Sequence, residues 1–137
     1  MEIGVHIADV GHYVKPESFL DKEALLRGNS VYLVDRVIPM LPERLSNELC
    51  SLRPHEDKLT FSAVFELDPN CTVLSSWFGK TIIHSDHRFT YEDAQEIIEG
   101  GDGPFRKEIT QINKLAQKCR KQRLSNGALI VKSNEVR

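Results

Sequence analysis

The sequence predicts a mixed α+β chain built around one long antiparallel β-hairpin, with helices packed on one side. Three observations carry that prediction. Leu59, Phe61, Ala63, Phe65 and Leu67 alternate with smaller or polar residues, as a strand with one buried face requires. Asp68-Pro69-Asn70 is turn chemistry, and Thr72 to His84 then carries Val73, Trp77, Phe78, Ile82 and Ile83, a returning strand. Ser18 and Thr90 each precede a helical pattern with an aspartate three residues on, the arrangement that satisfies first-turn amides.

The remaining elements follow in chain order. Glu2 to Ala8 alternates, with Ile3, Val5 and Ile7 on one face, and reads as a strand with Tyr13 near its end. A helix from Ser18, with Ala24, Leu25 and Gly28 leading out of it, stops near Asn29-Ser30. Val31-Tyr32-Leu33 reads as extended. Pro39 and Pro42 bracket an irregular stretch. Pro42 suits the first position of a short helix through Leu45, and Ser46 suits the cap of another turn toward Cys50. Gly100-Gly101 ends the helix that Thr90 begins. Gly103-Pro104 opens a last helix to about Arg123, Gly127 breaks it, and Ala128 to Val131 reads as a strand.

Composition excludes several classes. The 137 residues are 40% hydrophobic and 28% charged, which suits one domain with a core. No apolar run approaches the ~18 residues of a membrane span, and no basic, apolar, then small-residue leader is visible. The three cysteines are odd in number and no CxxC occurs, so reduced thiols in a cytoplasmic protein are expected. The net charge of −2 conceals an asymmetry: residues 1–103 hold 9 Lys/Arg against 18 Asp/Glu, and residues 104–137 hold 9 against 2. A basic face that meets a polyanion is one consequence.

Candidate sites are few. Lys107, Lys114, Lys118 and Lys121 are spaced by 7, 4 and 3 and form one stripe of the last helix, with Ile109, Ile112, Ala116 and Cys119 as the buried stripe. The lysine stripe is either a solvated face or a track for phosphates. His6, Asp9 and His12 invite a metal, but a straight strand spreads them over ~20 Å. His84 and His87 lack a third ligand. No nucleophile elbow, phosphate-binding loop, HExxH or tight acidic cluster is present. Tyr13, Tyr32 and Tyr91 read singly as packing residues. An aromatic beside a cationic helix is also a recurring way to hold single-stranded nucleic acid.

Longer strings narrow the reading. Gly4-Val5-His6-Ile7-Ala8-Asp9-Val10, Val31-Tyr32-Leu33, Ile38-Pro39-Met40-Leu41-Pro42-Glu43-Arg44-Leu45-Ser46 and Leu49-Cys50-Ser51-Leu52 resemble the RNB catalytic domain. That is the ribonuclease II and ribonuclease R family, which includes the catalytic subunit of the eukaryotic exosome. The stretch from Arg53-Pro54-His55-Glu56 through Trp77-Phe78-Gly79 is most similar to the bacterial ribonuclease R branch.

The resemblance covers residues 1–137 and implies a partial RNB catalytic domain. It implies a processive 3′→5′ exoribonuclease that hydrolyses single-stranded RNA to nucleoside 5′-monophosphates with Mg2+. It places the metal-holding aspartates before Glu2 and other active-centre residues beyond Arg137, so this chain is expected to hold no metal and to be inactive alone. It implies that Tyr32 stacks on a base and sets the length of the final product, and that Tyr91 lies near the scissile phosphate. Val131 stands where many members carry a second stacking aromatic. A strand left without its preceding partner is expected to self-associate along Glu2–Ala8. The alternative is a non-catalytic RNA- or protein-binding module.

Overall fold

The computed structural model describes residues 1–129. Two compact units are formed, one from residues 1–67 with 73–88, the other from residues 68–72 with the chain from Phe89 onward.

The first unit is organised by β4 (Asp57–Leu67), the middle strand of a three-stranded antiparallel sheet. On one side it pairs with β5 (Val73–His84), from Asp57 opposite His84 to Leu67 opposite Val73, with an irregularity between Glu66 and Leu67. On the other side it pairs with β1 (Glu2–Ala8), Glu2 opposite Glu66 and Ala8 opposite Thr60. The predicted hairpin is therefore present. The sequence does not reveal the pairing of the third strand, because its paired residues lie 52 to 64 positions apart.

The hydrogen-bond phase of β1 follows from its ends. Met1 and Leu67 exchange both backbone bonds at 2.8 Å, and the Asp9 amide donates to the Leu59 carbonyl at 3.0 Å. Odd-numbered residues thus bond inward to β4. The N–H and C=O groups of Glu2, Gly4, His6 and Ala8 face the outer edge, where no strand pairs among the described residues.

The two faces of the sheet differ. One carries Ile3, Val5, Ile7, Phe61, Phe65, Phe78 and Ile82, with the Phe65 and Phe78 rings edge to face at 5.8 Å. The other carries hydroxyls. Thr60 and Ser62 are fully buried. Thr60 Oγ1 lies 2.6 Å from Thr81 Oγ1, Ser62 Oγ bonds the same Thr81 hydroxyl, and His6 Nδ1 lies 2.6 Å from Ser62 Oγ. Every buried polar side-chain atom among the described residues has a partner. Two glycines make room for this face. A Cβ at Gly4 would land on the His6 imidazole and one at Gly79 on the Trp77 indole.

The segments between β1 and β4 are short. Asp9 turns the chain into one helical turn, α1 (Val10–Tyr13), so Tyr13 lies on a helix and not at a strand end. α2 (Phe19–Arg27) starts where predicted, with Ser18 Oγ accepting from the Asp21 amide at 3.2 Å, and stops at Gly28, whose φ of 74° suits glycine. β2 (Val31–Tyr32) pairs with β3 (Val37–Ile38). The two short turns expected after Pro42 are one π-helical segment, Arg44–Leu49.

In the second unit, α3 (Tyr91–Ile98) and α4 (Arg106–Ser125) pack on each other, with Ile97 buried. The predicted apolar stripe of α4 needs correction. Ile109 and Cys119 are half-buried, but Ile112 and Ala116 are exposed, and Asn113 and Leu115 are partly covered instead. Helix contact with one short partner shields only part of a face. The expected strand Ala128 to Val131 and the position of Val131 lie largely outside the described residues.

The hydroxyl face makes a prediction about stability. Ser62→Ala leaves the Thr81 hydroxyl and the His6 ring short of a partner, and should cost about 1–3 kcal/mol in urea unfolding. A loss below ~0.5 kcal/mol, the size of an ordinary surface substitution, would show that the network is not needed.

Candidate nucleic-acid interface

Tyr32 stands on a small clipped hairpin. Tyr32 pairs with Val37, and the Leu33 amide donates to the Arg36 carbonyl at 2.8 Å, closing a tight turn. The base of the loop is held by the Met40 amide donating to Ser30 Oγ at 2.9 Å and by an Arg27 guanidinium N–H reaching the Pro39 carbonyl at 3.4 Å. The backbone under Tyr32 is thereby fixed while its ring is 79% exposed. A ring so placed loses no packing when it takes up a flat partner.

Tyr91 has a different support. Thr90 Oγ1 accepts from the Asp93 amide at 3.1 Å, and Asp93 Oδ2 accepts from the Thr90 amide at 3.2 Å. This reciprocal cap sets the first turn of α3. Tyr91, the first helical residue, is 94% exposed. Phe89, just before it, meets Phe105 edge to face at 6.5 Å. Glu92 and Asp93 in the same turn offset the positive end of the helix, so Tyr91 and not a bare amide cluster is the feature presented there.

The lysine stripe is divided. Lys107, Lys114, Lys118 and Lys121 are all exposed. Lys118 nonetheless donates from Nζ to the Pro69 carbonyl at 2.6 Å, docking the 68–72 turn on α4. Sequence periodicity could not reveal this, since the two residues lie 49 apart.

The candidate metal residues are not gathered. Asp9 is held by Lys80, Nζ to Oδ2 2.9 Å, with only 11% of its side chain exposed. His6 bonds Ser62, and His84 Nδ1 lies 2.7 Å from Asp57 Oδ1. No three His, Cys, Asp or Glu side chains among the described residues come together as metal ligands. The described residues do not fit a divalent-cation cage, which needs several oxygen donors about one point.

Asp9 is a structural anchor at the end of β1, a partner that the sequence did not disclose. The Lys80 hydrogen bond and charge hold its carboxyl below the ordinary value of 3.8, against the opposing effect of burial. A depressed folded value means that the stabilisation is present above pH 3.8 and disappears as pH falls through the folded value. Lys80→Ala should return the Asp9 carboxyl toward its ordinary titration in an NMR titration and should remove that part of the acid dependence of stability. An unchanged Asp9 titration would mean that the pair has no energetic content.

With this geometry in view, comparison with known proteins is informative. The RNB domain profile matches residues 1–137. The exosome complex exonuclease dis3 of Schizosaccharomyces pombe is 44% identical over 140 residues, covering 99% of this chain and 14% of that protein. Among solved structures, Mycoplasma genitalium RNase R in complex with double-stranded RNA superposes with a TM-score of 0.87 at 29% identity, covering 98% of this chain and 25% of that one. Yeast Ssd1, described as a pseudonuclease, superposes with a TM-score of 0.80 at 25% identity, covering 90% and 15%. The chain spans only 12–17% of the length of the curated relatives it matches. The match over the whole length places this chain in the RNB family.

Proposed function

We propose that this chain is the strand-positioning part of a processive 3′→5′ exoribonuclease that hydrolyses single-stranded RNA to nucleoside 5′-monophosphates in the cytoplasm. The observation that supports the reading is a pair of exposed tyrosines, Tyr32 and Tyr91, each on a backbone tied down by local hydrogen bonds, in a chain of the RNB family. Tyr32 is assigned to base stacking and Tyr91 to the neighbourhood of the scissile phosphate. Lys107, Lys114 and Lys121 supply cationic charge for the phosphate backbone, and Lys118 joins them only if it releases Pro69.

Phosphodiester hydrolysis of this class requires carboxylates to fix Mg2+ and orient a water. No such cage forms among the described residues. On this reading the chain positions RNA and bond cleavage belongs to the rest of a longer protein, so the isolated chain should release no nucleotides from a labelled strand with or without Mg2+. The runner-up, a non-catalytic RNA- or protein-binding module, draws support from the likeness to a pseudonuclease. Activity of the full-length protein separates the two.

The central assignment is tested in the full-length enzyme with 5′-labelled RNA. Stacking on one aromatic is worth about 1–3 kcal/mol per base. Tyr32→Ala should lengthen the final product, because short strands leave earlier, and Tyr32→Phe should keep the normal end product. An unchanged product length in Tyr32→Ala would remove Tyr32 from the RNA path.

We also propose that the outer edge of β1 accepts a second copy. Antiparallel pairing with Gly4 opposite His6 aligns every outward group, sets Ile3 against Ile7, and places no like charges opposite one another. Sedimentation should show a dimer of this chain that Ala8→Pro weakens, since the Ala8 amide faces outward and no bond to β4 is lost. A monomer at all concentrations would contradict it.

A further inference from the structure

One lysine of the α4 stripe is already engaged. Lys107, Lys114 and Lys121 make no hydrogen bond or ion pair among the described residues, whereas Lys118 donates to the Pro69 carbonyl at 2.6 Å. The turn that offers this carbonyl holds its own shape. The Asp68 amide donates to the Thr72 carbonyl and the Cys71 amide to the Asp68 carbonyl, both at 3.0 Å. The Asp68 carboxylate accepts from the Asn70 and Thr72 amides, both at 2.8 Å. None of these bonds uses the Pro69 carbonyl. Helical spacing gives the Lys118 bond a consequence. Lys114 and Lys121 lie on either side of Lys118, about 6 Å and about 4.5 Å along the axis, and the three project within about 60° of one another. A phosphate chain that meets Lys114 and Lys121 therefore passes over Lys118 and reaches the turn bonded to it. The Asp68 carboxylate of that turn repels the same phosphates.

We propose that the 68–72 turn is a displaceable cover on the lysine stripe, and that RNA displaces it by putting a phosphate oxygen in place of the Pro69 carbonyl at the Lys118 ammonium. This regulation rests on the RNA reading proposed above. Lys118 has one strong acceptor in either state, so the exchange leaves no ammonium unpaired. A hydrogen bond between two charged groups is roughly twice as strong as one to a neutral acceptor. Phosphate therefore wins at low salt. Salt weakens the phosphate contact far more than the bond to a neutral carbonyl, so the cover returns as salt rises. The released turn keeps its internal bonds to Asp68 and moves without unfolding.

The test is an amide NMR titration of the full chain with a short oligouridylate at low salt. The Asn70 amide shares its peptide group with the Pro69 carbonyl, so its resonance reports the Lys118 bond. RNA should move that resonance toward the position it holds in RNA-free Lys118→Ala. In Lys118→Ala, RNA should leave it in place while the amides around Lys114 and Lys121 still shift. Affinity supplies a second measurement. Lys118→Ala should make the slope of log affinity against log salt shallower by about 0.7, the loss of one phosphate contact to a single strand. Replacing residues 68–72 with Asn-Gly, a two-residue turn between the paired Leu67 and Val73, removes the cover. That variant should bind RNA about two- to tenfold more tightly, because one hydrogen bond no longer has to break, and Lys118→Ala should cancel the gain. An Asn70 resonance that stays fixed while α4 amides shift would overturn the proposal, as would a salt slope unchanged in Lys118→Ala. No shift anywhere on α4 would overturn the RNA reading itself, and the cover with it.

Discussion

The double pairing of β4 is the constraint on which the first unit rests. A strand bonded on both sides has no free backbone groups, so its register fixes the registers of β1 and β5 together. Thr60 and Ser62 make that register specific. They are fully buried, and hydroxyls buried without partners would be costly. Only when Thr81 stands beside Thr60 and His6 beside Ser62 are all of them satisfied. A slip of one residue would bring apolar side chains against these hydroxyls. The glycines at 4 and 79 serve the same face, since the His6 and Trp77 rings lie where their side chains would be.

From that frame the exposed tyrosine of the first unit is placed by short-range chemistry. Asp9 locks the end of β1 to Lys80 of β5, across the sheet from the edge. α2, stopped at Gly28, delivers Arg27 and Ser30 to the base of the loop that carries Tyr32. Tyr91, in the second unit, depends on a cap contained within four residues. Each ring stands on backbone tied by local hydrogen bonds, which lowers the entropy lost when it stacks.

What the sequence made legible was local. The Ser18 and Thr90 caps and the break at Gly127 rest on residues within a few positions of one another, the β4–β5 hairpin rests on two alternating strands joined by one turn, and all are present, while the first helix ends at Gly28, just before the expected Asn29-Ser30. What it hid was distant or unusual. The β1–β4 ladder spans most of the first unit, and the bond from Lys118 to Pro69 crosses 49 residues. The π-helical segment Arg44–Leu49 has no periodic signature of its own. Tyr32 and Tyr91 were visible through the motifs around them, because one aromatic has no pattern. The sequence argued against a metal at His6, Asp9 and His12 but did not say what Asp9 holds. Only the fold brings Lys80 to it.

The account turns on whether RNA runs over the two tyrosines. Photo-crosslinking of this chain to single-stranded RNA substituted with 5-iodouridine reads that contact directly, with chelator present so that metal plays no part. Crosslinks should map to Tyr32 and to Tyr91, with yields that fall as salt rises and phosphate contacts weaken. Crosslinks confined to other residues, or their absence under conditions where the chain retains RNA, would contradict the account.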